Sequence, residues 1–251
     1  VDELYGRVLP ATPGSVQRTS FSVPRWEDRE ASRNEGRGSG LYAAVHRDDD
    51  GRVQGVALYR FEGWEKEPPT ITVTAFLAAT ADARRGLVHH LARLDLVERI
   101  EWGRAPEPGW LEALFVDERR VSRHRGSDDL YLRVLNLPAA MAARGWAGDG
   151  EVVVAVEDAL GAIDGTWRLT VRQGRGAAER LGPAADAVGL GAGLRLDAAR
   201  FSALWLGGHS RGAGAAVLAE AGVVAELRAG AAEAFDGLVR PSRPLHTLVG
   251  F

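Results

Sequence analysis

Five residues near the C-terminus match a motif for nucleophilic catalysis. Residues 208–212 read GHSRG and fit G-x-S-x-G, the nucleophile elbow, and Asp236 and His246 follow Ser210 in the order that the elbow's fold uses. In a serine hydrolase the serine would attack an acyl carbon, the histidine would take its proton, and the aspartate would orient the histidine. Because the elbow requires a buried strand before the serine and a helix after it, the neighbouring elements decide whether this chemistry is available.

The stretch before the elbow has the periodicity of a helix. Phe201 and Trp205 lie four residues apart and share one helical face, and two glycines follow them as a C-cap. The pattern after Ser210 is helical as well, and Asp236 falls inside it. The sequence therefore predicts that Ser210 caps a turn between helices, and serine hydrolysis is the less favoured alternative.

Two other stretches match R/Q-x-x-G-x-G/A, the pyrophosphate loop of acetyl-CoA-dependent N-acetyltransferases. They are residues 33–38 and residues 173–178. Such a loop points backbone N–H groups at phosphate where a helix begins after a strand. The first stretch instead lies between a predicted helix and a predicted strand, and the second is predicted to be a hairpin turn. Neither is expected to bind phosphate.

The position at which a pyrophosphate loop belongs lies between the strand over residues 70–77 and the helix that follows. Residues 78–83 read AATADA and contain no glycine. Thr80 is predicted to cap the helix, and Asp82 in its first turn would repel a phosphate. The order of elements thus fits an acetyltransferase fold whose cofactor loop has been lost.

Strand patterns come first along the chain and helical patterns later, which is typical of an α+β protein. The dipeptide Asp50-Gly51 predicts a hairpin between the first two strands. Pro138 predicts the first turn of a short helix. Predicted strands cover residues 41–46, 53–61, 70–77, 130–137, 151–156 and 167–171, and other predicted helices cover residues 26–32, 110–115, 198–206, 213–221 and 231–239.

Composition narrows the class of function. The 251 residues carry a net charge of −3 and no cysteine, which argues against a nucleic-acid partner and excludes disulfides and thiolate metal sites. No apolar run reaches the length of a membrane span. His89 and His90 are adjacent and face different sides of their helix, so no metal site is predicted. These features favour a cytoplasmic protein without a membrane partner.

Several stretches, in order along nearly the whole chain, resemble the enhanced intracellular survival (Eis) family of N-acetyltransferases. Members have an N-terminal acetyltransferase domain that binds acetyl-CoA, a degenerate GNAT-like domain without cofactor, and a domain similar to sterol carrier proteins. The chain matches the last two, which implies a degenerate GNAT-like domain over residues 1–140 and a sterol-carrier-protein-like α+β domain over residues 141–251. The resembling stretches are residues 13–16 (PGSV) with Trp26, 55–60 (GVALYR), 76–81 (FLAATA), 94–97 (LDLV), 129–144 (DLYLRVLNLPAAMAAR), 167–171 and 204–208.

The resemblance also implies roles for individual residues. In the family the α-carboxylate of the last residue acts as general base on the substrate amine, and Phe251 matches that position. Family substrates are polyamines, notably aminoglycosides, and Trp64, Glu65 and Asp149 carry groups that suit a cation. The tyrosine that serves as general acid belongs to the N-terminal domain, which this sequence lacks. The chain alone is therefore expected to be inactive, with acetyl-CoA bound by the missing domain, and hexamers in the family imply a homo-oligomer.

A second class of function stays open beside the enzyme. The C-terminal domain could bind an apolar ligand, as sterol carrier relatives do in a tunnel between sheet and helices. Phe201, Trp205 and Phe235 would line such a tunnel, although residues of this type are more often core. Alternatively, the chain could act as an oligomerisation scaffold without catalysis.

Overall fold

A computed structural model describes residues 1–17, 40–105, 109–124, 131–207, 213–241, 243 and 245–248. The chain divides into two compact units, one of Val1–His124 with Leu245–Phe251 and one of Arg125–Pro244. Each unit has its own β-sheet, with strand orders β1-β2-β3-β4 and β7-β6-β5-β8-β9. The C-terminal segment thus belongs to the first unit although it follows the second unit in sequence.

The first unit is a four-stranded sheet between helices. The antiparallel strands are β1 (Leu41–Arg47), β2 (Val53–Phe61) and β3 (Thr70–Ala78), and β4 (Arg99–Trp102) pairs parallel with β3. The parallel pair requires a crossover, which helix α2 (Ala81–Ala92) provides, and helix α1 (Asp2–Val8) begins the unit. Short 3-10 turns cover Leu9–Ala11, Glu112–Leu114 and Glu118–Arg120.

Both faces of this sheet are buried, as the apolar centre of β2 predicts. Ala57 and Tyr59 contact α2 through the cluster that contains Leu87 and Leu91, whereas Val56 and Leu58 contact α1. A helix on each face therefore explains why β2 lacks a clean alternation of apolar and polar residues.

A bulge in β3 reverses which face of the sheet the odd-numbered side chains point to. Leu58 pairs with Ala75 but Tyr59 pairs with Val73, so Thr74 is an extra residue in the ladder. Val73 accordingly packs with the α2 cluster and Leu77 with the α1 cluster, although both are odd-numbered.

Local signals fix the ends of these elements as the sequence predicts. The Thr80 hydroxyl accepts a hydrogen bond from the Ala83 N–H at 3.1 Å and caps α2. Gly51 adopts a φ of 78° in the β1–β2 turn, and the Asp48 carboxylate accepts from the Arg52 N–H at 2.8 Å. The predicted hairpin and helix start are both confirmed.

The second unit packs helices on one face of a five-stranded sheet. Its strands are β5 (Gly150–Glu157), β6 (Gly165–Arg172), β7 (Arg175–Gly182), β8 (Leu194–Asp197) and β9 (Ala225–Glu226). Its helices are α3 (Leu137–Ala143), α4 (Ala198–Trp205), α5 (Ala215–Glu220) and α6 (Ala231–Val239), with a 3-10 turn at Ala184–Asp186. Strands β5, β6 and β7 are antiparallel, and β8 runs parallel to β5.

A half-buried cation joins the ends of two helices in this unit. The Arg144 guanidinium donates to the backbone oxygens of Trp205 and Val239, the last residues of α4 and α6. It also lies over the Trp146 ring at 4.2 Å from the ring centroid. Burial lowers the pKa of Arg144 to about 10, so the group stays positive at neutral pH and suits the negative ends of both helices.

One predicted strand is wrong, because residues 131–136 form no strand and α3 begins at Leu137. The Asn136 side chain accepts from the Ala139 N–H at 3.0 Å, which starts a helix. The Val134 N–H donates to the Ser202 hydroxyl at 3.0 Å instead of to a neighbouring strand. A side-chain partner distant in sequence thus takes the place of a ladder.

Helix α1 was not predicted from the sequence, and strand β7 was predicted only as the unbounded second arm of a hairpin. The other differences concern short elements. The helix predicted over residues 110–115 is a single 3-10 turn, and strands β4, β8 and β9 were not predicted because they have four residues or fewer. The helix predicted over residues 26–32 lies outside the described residues.

Replacing Ser202 tests the anchor between α4 and the segment before α3. The fully buried hydroxyl donates to the Ala198 oxygen at 2.6 Å and accepts from Val134. Ser202→Ala should lower the free energy of unfolding by about 1–3 kcal/mol, since a buried N–H loses its partner. Urea unfolding measures the change, with the exposed Ser122→Ala as control, and equal midpoints for both variants would contradict the assignment.

The turn between β5 and β6 predicts an acid-dependent stability. The buried Asp158 carboxylate accepts from the backbone N–H groups of Ile163 and Leu160, both at 3.0 Å, and pairs with Arg133. The Ile163 N–H, followed by the Leu160 N–H and then Arg133, lowers the pKa of Asp158. This carboxylate therefore stabilises the fold above its unfolded pKa, and the stabilisation is lost as pH falls through the lower folded value.

We accordingly expect Asp158→Asn to have a lower free energy of unfolding than the native chain at pH 7. Between pH 5 and about pH 2, the free energy of unfolding should fall less in Asp158→Asn than in the native chain. Unfolding by urea at a series of pH values measures this, with the exposed Asp186→Asn as the matched control. Parallel pH curves for the native chain and Asp158→Asn would show that the carboxylate makes no such contribution.

Candidate functional site

The turn between β3 and α2 is closed by the chain's own hydrogen bonds. The Ala79 N–H donates to the Gln54 oxygen at 2.8 Å, and Thr80 accepts from the N–H groups of Ala83 and Arg84. The Asp82 carboxylate stands in the first turn of α2. Thr80 takes the N–H groups of Ala83 and Arg84, and a carboxylate in the first turn of the helix repels the diphosphate of acetyl-CoA.

The same carboxylate has partners on both sides. Asp82 lies 3.4 Å from His46 Nε2 and 3.3 Å from the Arg85 guanidinium. The His46 ring in turn packs against Gly86, where a Cβ would lie 2.8 Å from the ring. This end of the sheet is thus occupied by packed protein groups.

The glycine-rich stretch at residues 173–178 lies in the predicted hairpin, but only Gln173 and Gly174 form the turn, and residues 175–178 begin β7. Gln173 and Gly174 have φ values of 51° and 74°, and a Cβ at Gly176 would overlap with the Trp146 indole. The Asp149 carboxylate accepts from the Gln173 N–H at 2.8 Å. The glycines serve the turn and its packing, and Asp149, predicted to contact substrate, holds the turn. The other stretch, residues 33–38, lies outside the described residues.

The nucleophile elbow has a helix before it instead of a strand. Residues 208–212 lie outside the described residues, but α4 ends at Trp205, immediately upstream. The Asp236 carboxylate accepts from the N–H groups of Ala215 and Ala216, at 2.6 and 3.0 Å, and so caps α5 from a neighbouring helix. Asp236 therefore uses both oxygens on backbone amides, which argues against its role in a triad.

Trp64 contributes to an aromatic groove in the first unit. Its side chain is 63% exposed and contacts Phe61 edge-on, with ring centroids 4.7 Å apart. Glu65 follows on the same exposed loop. The groove has a volume of about 250 Å³ and is lined by Tyr42, Tyr59, Phe61, Trp64, Ile71, Leu94, Asp95, Leu96 and Val97.

The groove combines aromatic rings with one carboxylate. Tyr42 and Tyr59 stack with ring centroids 5.7 Å apart. Burial, and to a lesser extent Tyr42, raises the pKa of Tyr59, so the phenol stays neutral. Asp95 is the one charged side chain in this lining. Aromatic faces beside a carboxylate suit an organic cation, and sequence reasoning identified only Trp64 of this set.

The C-terminal segment lies against residues 13–16. The His246 N–H donates to the Pro13 oxygen at 2.9 Å, and Ser15 is bonded to both His246 and Leu248. Leu248 packs with the cluster that joins α1 to the sheet. Phe251, the predicted general base, lies outside the described residues, three positions beyond Leu248.

The side chains considered for an apolar tunnel belong to the core of the second unit. Phe201 and Phe235 are fully buried, and their ring centroids lie 6.1 Å apart. Trp205 packs against the same cluster. These residues fill the space between sheet and helices around them.

Two further properties concern the described part of the chain alone. Each helix there is too short or too polar to cross a membrane. Within the same residues, no three or more His, Cys, Asp or Glu side chains come together in a way that could hold a metal ion.

Comparison with known proteins accounts for both units. Residues 14–134 match the acetyltransferase (GNAT) domain, and residues 137–246 match the sterol carrier protein domain. These matches confirm the predicted fold, a GNAT-like domain followed by a sterol-carrier-like domain.

Relatives and solved structures have the same arrangement. An uncharacterized N-acetyltransferase of Streptomyces avermitilis is 33% identical over 96% of this chain and 56% of that protein. The N-acetyltransferase Eis of Mycobacterium tuberculosis is 29% identical over 83% of this chain and 47% of that protein. The crystal structure of Eis1 from Mycobacterium abscessus has a TM-score of 0.76 at 27% identity, covering 99% of this chain and 58% of that one.

A GCN5-related N-acetyltransferase from Anabaena variabilis, at 19% identity and a TM-score of 0.72, shares the fold. The chain spans about half the length of the curated relatives it matches. With its two domains in this order and its likeness to Eis proteins in sequence and structure, the chain belongs to the Eis family of N-acetyltransferases.

Proposed function

We propose that this chain is the part of an acetyl-CoA-dependent N-acetyltransferase that supplies the C-terminal carboxylate base and a portion of the substrate pocket. The substrates are polyamines such as aminoglycosides. The observation that carries the proposal is the match to N-acetyltransferases along 96% of the chain. The attachment of the C-terminal segment to the GNAT-like unit supports it further.

Acetyl-CoA binds to a separate N-terminal domain in this proposal. GNAT domains use acetyl-CoA as acetyl donor, but α2 has Asp82 in its first turn, and Thr80 accepts from the N–H groups of Ala83 and Arg84. The share of 56% that the chain covers of its relative leaves room for a further domain. Acetyl-CoA would supply the acetyl group there as a thioester.

The chain's own contribution to the chemistry is to accept a proton. A terminal α-carboxylate is ionised at neutral pH and can accept a proton. The carboxylate of Phe251 takes the proton that the amine loses as its nitrogen bonds to the acetyl carbon, directly or through one water. The amine would attack the thioester directly, and the C–S bond would break to release CoA as a thiolate that is protonated from outside this chain. No acyl-enzyme would form. Neither Tyr59 nor Tyr131 is assigned the role of general acid.

Trp64 and Glu65 contact the cationic substrate in this proposal, and Asp149 is a separate proposed contact for a cation in the second unit. The exposed indole of Trp64 and the aromatic rings beside it offer π-faces to an ammonium group. Glu65 adds a carboxylate on the same loop. The protein would be a cytoplasmic homo-oligomer, as the hexamers of the family imply.

Activity should depend on more than these 251 residues. We expect acetyl-CoA-dependent thiol release with an aminoglycoside panel from the product of the complete reading frame, and none from the chain alone. Activity of the chain alone would mean that the β3–α2 turn, or another part of it, does bind acetyl-CoA. If neither protein is active, the alternative of an apolar-ligand or scaffold protein is favoured. Mass spectrometry of natively purified protein would then test for a bound lipid.

Trp64→Ala should raise the KM for the amine. An exposed cation–π contact contributes about 0.5–1 kcal/mol, which corresponds to a rise of about two- to five-fold. Steady-state kinetics of the complete protein measure this, with Trp64→Phe retaining a π-face and the exposed Leu160→Ala as control. An unchanged KM in Trp64→Ala would remove Trp64 from the proposed pocket.

A further inference from the structure

Ser15 bonds to the C-terminal segment twice through a single oxygen. Its hydroxyl donates to the His246 backbone oxygen at 2.9 Å and accepts from the Leu248 N–H at 2.9 Å. One residue earlier, the Pro13 oxygen accepts from the His246 N–H at 2.9 Å. Three hydrogen bonds thus fix the register of residues 246–248 against residues 13–15.

Packing reinforces this register. Leu248 contacts the cluster formed by α1 and the sheet, which includes the fully buried Leu4. At Gly14, with a φ of 90°, a Cβ would lie 3.5 Å from the His246 backbone. The distance of 3.5 Å is an ordinary contact, so it is the positive φ that favours glycine there.

The receiving segment is itself held by α1. The Tyr5 hydroxyl donates to the Val16 backbone oxygen at 2.6 Å, and Tyr5 is 4% exposed. Ser15 therefore lies on a stretch whose position is set by a buried side chain of the same unit.

This arrangement solves a problem that a terminal carboxylate poses as a base. Chain ends fray unless they are held, whereas a general base must stay within hydrogen-bond reach of the proton it takes. Phe251 follows Leu248 by three positions in the sequence. Leu248 is therefore the described residue that lies nearest to it along the chain.

We propose that Ser15 is a positioning residue for the Phe251 carboxylate, acting through its two hydrogen bonds to the C-terminal segment. This inference rests on the proposed function of Phe251 as base. Ser15 does not touch the substrate, and its effect is on the fraction of time that the base is in place. Its loss should therefore lower kcat and leave the KM for the amine nearly unchanged.

Two kinds of measurement test the proposal. In the chain of 251 residues, hydrogen exchange of the C-terminal peptide reports whether the Leu248 N–H is protected. In Ser15→Ala this N–H should exchange faster, whereas the exchange of peptides from β2 should not change. In the product of the complete reading frame, Ser15→Ala should lower kcat by about 10- to 100-fold, the range in which misplacement of a catalytic group acts. The KM should change by less than about two-fold.

Matched variants separate positioning from folding. Ser15→Thr keeps the hydroxyl and should restore most of the kcat and the protection. Ser122→Ala, whose hydroxyl bonds to His124 on the surface, should behave like the native protein. Leu248→Pro removes the N–H group that donates to Ser15, and it leaves Ser15 unchanged. It should lower kcat as Ser15→Ala does, and it provides a second test if Ser15→Ala folds poorly.

The failure of this inference differs from that of the proposed function. Deletion of Phe251 should lower kcat by about 100-fold or more if its carboxylate is the base. An active deletion variant would refute the base itself. An inactive deletion variant together with native kcat in Ser15→Ala and Leu248→Pro would retain the base and refute the positioning role.

Discussion

The packing of α1 on the four-stranded sheet is the interaction on which the first unit depends. Leu4, Tyr5 and Val8 cover one face of the sheet, and the same cluster receives Leu248 from the other end of the chain. Tyr5 also holds the segment that binds residues 246–248. Without α1 the sheet would expose an apolar face, and the C-terminal segment would lose both its apolar contact and its hydrogen-bonding partner.

A second constraint is the way in which carboxylates in this chain are used. Asp236 caps α5, Asp158 organises the β5–β6 turn, and Asp149 holds the β6–β7 turn, each by accepting from backbone N–H groups. The oxygens that accept these hydrogen bonds are engaged in holding the fold. Their geometry explains why an acidic residue at a suggestive position, such as Asp236 after G-x-S-x-G, need not do chemistry.

What could be predicted from the sequence is local. Thr80 and Pro138 marked helix starts because capping and first-turn preferences act within one turn, and the Asp-Gly turn marked the first hairpin. The segment before α3 was mistaken for a strand because its order comes from Ser202, a residue of α4. The groove and the Ser15 contacts join residues that are distant in sequence, and such contacts leave little trace in the local pattern. Only the pairing of Tyr42 with Tyr59 across the predicted hairpin could have indicated part of the groove.

The non-local contacts bear most directly on function. A base on a side chain is positioned by the helix or strand to which the residue belongs. Substitution of that residue removes the base and so identifies it. A base carried on the last α-carboxylate has no such support, since every protein ends in one. Such a base can be held only by contacts of the residues that precede it, and in this chain Ser15 holds the Leu248 N–H across 233 residues of sequence. Chemistry at a chain terminus therefore requires a fold in which the terminus returns to the core, as the described residues of this first unit do.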